Sequence, residues 1–237
     1  MEGVSMADLL ENYRRVLDGV KQAALEAGRD PAQVRLLAVS KTFPAEDIRT
    51  VFDAGQIRFG ENKVQELQAK VPVLPAEIEW HLIGHLQSNK AAKAAECAQW
   101  IHSVDSVHLA QKIGNAAARL GKPINILLEV NISGEESKFG LHSFEDTAPA
   151  AEAVLQFPEL HLCGLMTMAE PGVPEARLRS TFAGLRALRD RLETEFRIPF
   201  PELSMGMTSD YREAILEGST IVRIGSAIFG GRDYSKK

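Results

Sequence analysis

Leu36-Leu37-Ala38-Val39-Ser40-Lys41-Thr42, followed by Pro44 and a helical pattern over 45–54, decides how this chain is read. The apolar run is short and unbroken, as in a strand buried on both faces. Pro44 opposes its continuation, and the amphipathic stretch beyond is long enough for a helix. A strand that leads into a helix is the building unit of an α/β fold. Lys41 stands where that strand runs out, and such folds keep their chemistry at the C-terminal mouths of their strands. A lysine in a partly dry pocket loses some preference for its charged form and becomes an amine nucleophile. Lys41 is therefore a candidate for Schiff-base chemistry with an aldehyde; the alternative is a solvated lysine opening a loop.

The same alternation continues outward. Strand-like segments fall at 34–40, 57–60, 79–83, 100–104, 124–131, 160–168, 202–205 and 220–224. Helical patterns follow at 45–54, 62–70, 89–98, 106–120, 143–156, 174–196 and 209–217, and a first amphipathic helix is expected over 5–27, stopped by Gly28. Eight strands alternating with helices, with no second run of strands, indicate a parallel sheet. For 237 residues the preferred solution is a single (β/α)8 TIM-type barrel spanning 1–237, with the extra N-terminal helix outside it. An open doubly wound sheet is the other architecture considered.

Composition narrows the function classes. The 27 Lys and Arg against 32 Asp and Glu are interspersed, which leaves no electrostatic footprint for nucleic acid. Cys97 and Cys163 lie far apart without neighbouring ligands, so neither a metal site nor a disulfide framework is expected. No basic-then-apolar leader or membrane-length apolar run is found, and the expectation is a soluble cytoplasmic protein. Neither a dinucleotide fingerprint nor a phosphate-binding loop with a following Lys-Ser/Thr pair follows the first strand, which argues against nicotinamide and nucleoside triphosphate chemistry.

Several segments should converge on one barrel face. Gly60-Glu61-Asn62-Lys63 and Gly84-His85-Leu86-Gln87-Ser88-Asn89-Lys90 end the second and third strands. Ser204-Met205-Gly206-Met207-Thr208-Ser209 and Arg223-Ile224-Gly225-Ser226 end the last two, where barrels often hold phosphate. Backbone N–H groups of Met207, Thr208, Gly225 and Ser226, with the hydroxyls of Thr208, Ser209 and Ser226, are candidate anion donors. Gly206 and Gly225 would let the backbone approach the anion, and a helix beginning near Ser209 would add a positive dipole end. Glycine and serine are also ordinary turn residues there. With Lys41, these groups describe a small ligand carrying a phosphate at one end and a carbonyl at the other. Arg223 shares a strand face with Gly225, and an inward arginine needs a partner. A flat heteroaromatic ring with an acceptor nitrogen is one candidate, and a buried carboxylate such as Glu129 is the other. A pyridine facing arginine would stay unprotonated and be a weak electron sink.

The ordered blocks Ala38-Val39-Ser40-Lys41, Phe59-Gly60-Glu61-Asn62, Trp80-His81-Leu82-Ile83-Gly84 and Leu86-Gln87-Ser88-Asn89-Lys90 resemble those of the pyridoxal-phosphate homeostasis proteins. The resemblance continues through Glu129-Val130-Asn131, Lys138-Phe139-Gly140, Gly164-Leu165-Met166-Thr167-Met168, 203–210 and 222–230, covering essentially the whole chain. It implies a barrel like the N-terminal domain of alanine racemase, with pyridoxal 5'-phosphate held as an aldimine on Lys41. It also implies that Arg223 faces the pyridine nitrogen, that Ser204, Gly225 and Ser226, with Met207, Thr208 and Ser209 nearby, hold the phosphate, and that Asn62 lies beside the ring. Thr208 stands where many relatives would carry serine, and either supplies a hydroxyl. The implied role is non-catalytic: binding, buffering or delivering the cofactor in vitamin B6 homeostasis, with transient contact to cofactor-accepting enzymes.

Two other functions compete. One is a pyridoxal-phosphate-dependent, racemase-like enzyme; the other is a cofactor-free Schiff-base aldolase. Racemases of this type carry a further β-rich domain with a second acid–base tyrosine. Here the chain ends soon after its eighth strand, which also favours a monomer. Tyr13, Tyr211 and Tyr234 are its only tyrosines, and Tyr211 alone follows the phosphate turn. Lys63, Lys90, Lys93 and Lys138 form a candidate basic rim, Lys138 being the strongest of them. His81 is expected to make a structural hydrogen bond, whereas His85 is placed for a role in the site.

Overall fold

The computed structural model describes residues 5–135 and 139–231. Its eight strands are β1 (Arg35–Val39), β2 (Arg58–Glu61), β3 (Glu79–Leu82), β4 (Trp100–Val104), β5 (Ile124–Glu129), β6 (Leu160–Met166), β7 (Glu202–Ser204) and β8 (Ile221–Ile224). They pair in chain order as a closed parallel barrel. The ring shuts where β8 meets β1, with Leu37 opposite Arg223 and Ala38 opposite Ile224. Closure excludes the open doubly wound sheet.

Helix α1 (Met6–Glu26) precedes the first strand. The others are α2 (Ala45–Asp53), α3 (Val64–Lys70), α4 (Ala91–Cys97), α5 (Val107–Leu120), α6 (Phe144–Leu155), α7 (Glu175–Phe196), α8 (Tyr211–Leu216) and α9 (Ser226–Phe229). Local chemistry starts several of them. Ser5, Ser106 and Ser143 each accept the N–H three residues on at 3.2 Å, caps worth about 1 kcal/mol apiece. α1 buries Leu9, Tyr13, Val16, Val20, Ala23 and Ala24 and packs outside the ring on α2, α8 and α9.

Two strands end two residues earlier than their apolar runs suggest: β5 at Glu129 and β6 at Met166. Beyond them the backbone serves the loops. Val130 O accepts the Thr167 hydroxyl at 2.7 Å, and Asn131 N–H donates to Leu141 O at 2.8 Å. α8 begins at Tyr211 and not near Ser209, because the Asp210 carboxylate takes the Met207 N–H at 2.5 Å and folds the intervening residues into a turn.

The barrel interior is only partly apolar. Leu37, Trp100, Leu127, Met166 and Ile221 form one inner cluster. Beside it run the buried His81, His102, Ser204 and Arg223. At the N-terminal ends of the strands, Arg35 pairs with Glu202, and Arg58 with Glu79 at 3.2 Å.

Candidate functional site

A cavity of about 510 Å³ opens at the C-terminal ends of the strands. Among the residues singled out from sequence, Lys41, Asn62, Met207, Thr208, Ser209, Arg223, Gly225 and Ser226 all line it. Residues from both chain halves meet here because the closed ring brings β8 beside β1.

Lys41 follows β1 in a tight turn. Phe43 N–H returns to Ser40 O at 3.1 Å, and Thr42 takes a left-handed φ of 70°. That conformation is costly for a β-branched residue, and a buried charged cluster holds it. Glu66 accepts the Thr42 N–H at 2.7 Å. Lys70 donates to Ser40 O at 3.0 Å and to Glu61 at 2.7 Å, while the Ser40 hydroxyl donates to the same Glu61 oxygen at 2.6 Å. Burial pushes Glu61 up to about 7 against the opposing pull of Lys70 and Ser40. Burial also pushes Glu66 up, but the Thr42 N–H, Glu61 and Lys70 together outweigh it and leave Glu66 below the usual range.

Arg223 is 4% exposed and forms part of the cavity lining. Burial pushes it down to about 10, with Asp210 and then Glu129 opposing. Its hydrogen-bond partners are neutral oxygens. One terminal nitrogen donates to Ser204 O at 2.7 Å and Ser204 Oγ at 2.8 Å, the other to Thr167 O at 2.9 Å. Glu129 is thus an electrostatic neighbour, and the buried-carboxylate partner considered from sequence gives way to carbonyls and a hydroxyl.

Ser204 does not line the cavity, in contrast to its expected phosphate role. It is fully buried, and its Oγ also lies 3.0 Å from His102 Nδ1. His102 Nε2 meets His81 Nδ1 at 2.8 Å, and His81 Nε2 meets Glu79 at 2.9 Å. Burial lowers the pKa of both histidines, His102 well below its ordinary value. Neutral rings and an ionised Glu79 admit one proton arrangement. His81 Nε2–H donates to Glu79, His102 Nε2–H donates to His81, and Ser204 O–H donates to His102. Arg223 completes the series by donating to Ser204, so a single hydrogen-bonded file joins the cavity floor to the far end of the barrel.

At the β7 and β8 ends, the hydroxyls of Ser226 and Thr208 lie 3.2 Å apart. The Met207 N–H expected to bind an anion is already committed to Asp210. The two glycines answer to packing within the protein. A Cβ on Gly225 would lie 2.9 Å from Val39 O, and one on Gly206, at φ 94°, would lie 2.6 Å from Ala214 Cβ.

Glu129, His85, Phe139 and Met168 line other parts of the wall. His85 stacks on Phe139 with centroids 3.8 Å apart and reaches Asp105 at 3.3 Å. Lys63, Lys90 and Lys93 do not line the cavity, and Lys138 and Tyr234 fall outside the described residues. Tyr13 lies on the buried face of α1, and the Tyr211 hydroxyl packs toward Gly19, away from the cavity. His102 and Lys70 escaped the sequence reading. Two-residue alternation from Trp100 could have pointed His102 inward, and the i,i+4 spacing of Glu66 and Lys70 was a weak pointer to their pairing.

The family model for the alanine racemase N-terminal domain matches residues 10–233. The chain is 46% identical to the pyridoxal phosphate homeostasis protein of Pseudomonas aeruginosa, covering 97% of this chain and 98% of that one. It is 41% identical to the Escherichia coli K12 protein of the same name, covering 98% and 100%. Among solved structures it is similar to PipY of Synechococcus elongatus PCC7942 with PLP bound, at a TM-score of 0.78 and 38% identity over 89% of this chain and 98% of PipY.

Proposed function

Since the chain belongs to the alanine racemase N-terminal-domain family and to its pyridoxal phosphate homeostasis proteins, we propose that it binds and buffers pyridoxal 5'-phosphate through Lys41 without catalytic turnover. The observation that carries this reading is the meeting of Lys41, Arg223 and the Thr208–Ser226 hydroxyls on one cavity. Their chemistry fits the group. A lysine amine suits an aldehyde, hydroxyls suit a phosphate, and a permanent N–H donor suits a pyridine nitrogen. A volume of about 510 Å³ lies within the usual range for cofactor sites.

When bound, the cofactor supplies an electrophilic carbon and a ring able to accept electrons. Arg223 limits the second property. A guanidinium retains its protons, so the ring nitrogen opposite it stays an unprotonated acceptor. Thr208, Ser209 and Ser226 orient the phosphate, Asn62 flanks the ring, and the Glu61–Lys70–Glu66 cluster steadies the turn that presents Lys41. Neither Tyr13 nor Tyr211 reaches the cavity to serve as a second acid–base group. These features favour capture and release, with cofactor-accepting enzymes as transient partners.

The test is a visible spectrum of the reconstituted protein before and after borohydride, followed by peptide mass mapping. The expected result is a reducible band and a pyridoxyl mass on Lys41, both lost in Lys41→Ala. Absence of the band would overturn cofactor binding through Lys41 and bring the cofactor-free aldolase forward. Steady turnover of a free amino acid, abolished in Lys41→Ala, would overturn the non-catalytic reading.

A further inference from the structure

The cavity has two chemically unlike ends. Thr208, Ser209 and Ser226 supply donors on the β7 and β8 side. From β5, Glu129 enters the lining at 3% exposure, and its Oε2 has no hydrogen-bond partner among the described residues. Arg223, its electrostatic neighbour, commits three of its four terminal N–H groups to Ser204 and Thr167 and makes no hydrogen bond to Glu129 among the described residues. A buried carboxyl left without a partner is costly, and an orphan of this kind in a ligand cavity marks a place for a ligand group.

The group's sign follows from its surroundings. Burial and the nearby Asp105 charge push Glu129 up to about 7, against the pull of Arg223. Asp105 engages His85 at 3.3 Å, so a second acid stands close to this wall. Among the described residues, Lys41 and Arg223 are the lysine and arginine of the lining, carried by neighbouring strand ends, while β5 lies across the eight-stranded ring from β1. The Glu129 side thus favours a cation. A primary ammonium fits best: it donates to the orphan oxygen and removes the cost of an unpaired buried charge.

We propose that Glu129 lets this pocket take the amine form of the phosphorylated ring as well as the aldehyde form, pairing with the ligand's ammonium while the Thr208–Ser226 end holds its phosphate. This rests on the cofactor reading above. The aldehyde and the ammonium stand on the same ring carbon, which lies between the β1 and β5 walls: the aldehyde form turns it to Lys41, and the amine form, which makes no bond to Lys41, turns its ammonium to Glu129.

Titration calorimetry with three probes tests the proposal: pyridoxal 5'-phosphate, pyridoxamine 5'-phosphate, and deoxypyridoxine 5'-phosphate, which has a methyl in place of the aminomethyl group. The wild-type protein should bind the amine about tenfold or more tighter than the methyl analogue, the scale of a charge-assisted hydrogen bond. Glu129→Gln should erase that preference and leave the methyl analogue's affinity within about twofold, which also shows that the variant pocket is intact. The inference is overturned if Glu129→Gln leaves the preference unchanged or weakens both analogues equally. It fails alone if the wild type binds the aldehyde form without preferring the amine over the methyl analogue. If none of the three binds, the cofactor reading fails with it.

Discussion

Ser204→Ala removes a single hydroxyl from the middle of the buried file, and its cost can be worked from the partners it leaves. Arg223 keeps its bonds to Ser204 O at 2.7 Å and Thr167 O at 2.9 Å but loses the one to Oγ at 2.8 Å. His102 Nδ1 loses its donor at 3.0 Å in a fully buried setting. A hydrogen bond to a charged group contributes about 1.5–3 kcal/mol, and an unsatisfied buried acceptor costs about 1–3 kcal/mol. The two losses share one hydroxyl and are not additive, so about 2–4 kcal/mol is expected. Urea unfolding with an unchanged m-value measures it, and the melting temperature should fall by roughly 5–15 °C for a chain of this size. Ser103→Ala is the matched control. Ser103 is also fully buried, but its Oγ has no hydrogen-bond partner among the described residues, so its loss should stay within about 0.5 kcal/mol. A Ser204→Ala cost below about 1 kcal/mol, or equal costs for the two serines, would refute the reasoning.

Further outcomes follow from the charged cluster and the strained turn. Burial pushes Glu61 up to about 7, so its folded-state pKa lies above the unfolded value, and stability present below about pH 4.5 is lost as pH rises through 7. Glu61→Gln should flatten that limb by up to about 3 kcal/mol between pH 4.5 and 8, and urea melts of both proteins with equal slopes would count against it. Thr42→Asn should stabilise the fold by about 0.5–1 kcal/mol, because asparagine tolerates the left-handed φ of 70° better than threonine. A destabilised variant in the same melts would show that the threonine side chain contributes more than its strain costs.

The strands most legible in the sequence were those whose apolar run and ladder coincide. Trp100–Val104 has the expected bounds because all five residues are buried. Ile124–Glu129 stops short of its apolar run because, after Val130 N–H donates to Met166 O at 2.8 Å, Asn131 N–H turns to Leu141 O in the loop near the cavity. Lys41, Thr208, Arg223 and Ser226 could be read from their places at strand ends. Ser204 was placed at the phosphate by the resemblance alone, and in the structure its hydroxyl meets His102 of β4 and Arg223 of β8. His102 was hidden as well. Its significance depends on lying against His81, and only the register of β3 and β4, with His81 opposite Trp100, brings the two together. Likewise, the fate of the Met207 N–H turns on an aspartate rotamer that strand periodicity does not determine.

The closing seam between β1 and β8 has a consequence for the order in which a ribosome delivers this protein. Lys41 emerges with the first strand, whereas its pocket neighbour Arg223 waits for the last, and Leu37 and Arg223 become partners only when the ring shuts. Until Ile221–Ile224 is made, β1 has an open edge of the kind that invites wrong pairings. Contacts this distant in sequence also form slowly. A nascent or prematurely released chain therefore carries Lys41 without Arg223 and the Thr208–Ser226 side of the cavity. The complete cavity becomes a property of finished chains alone.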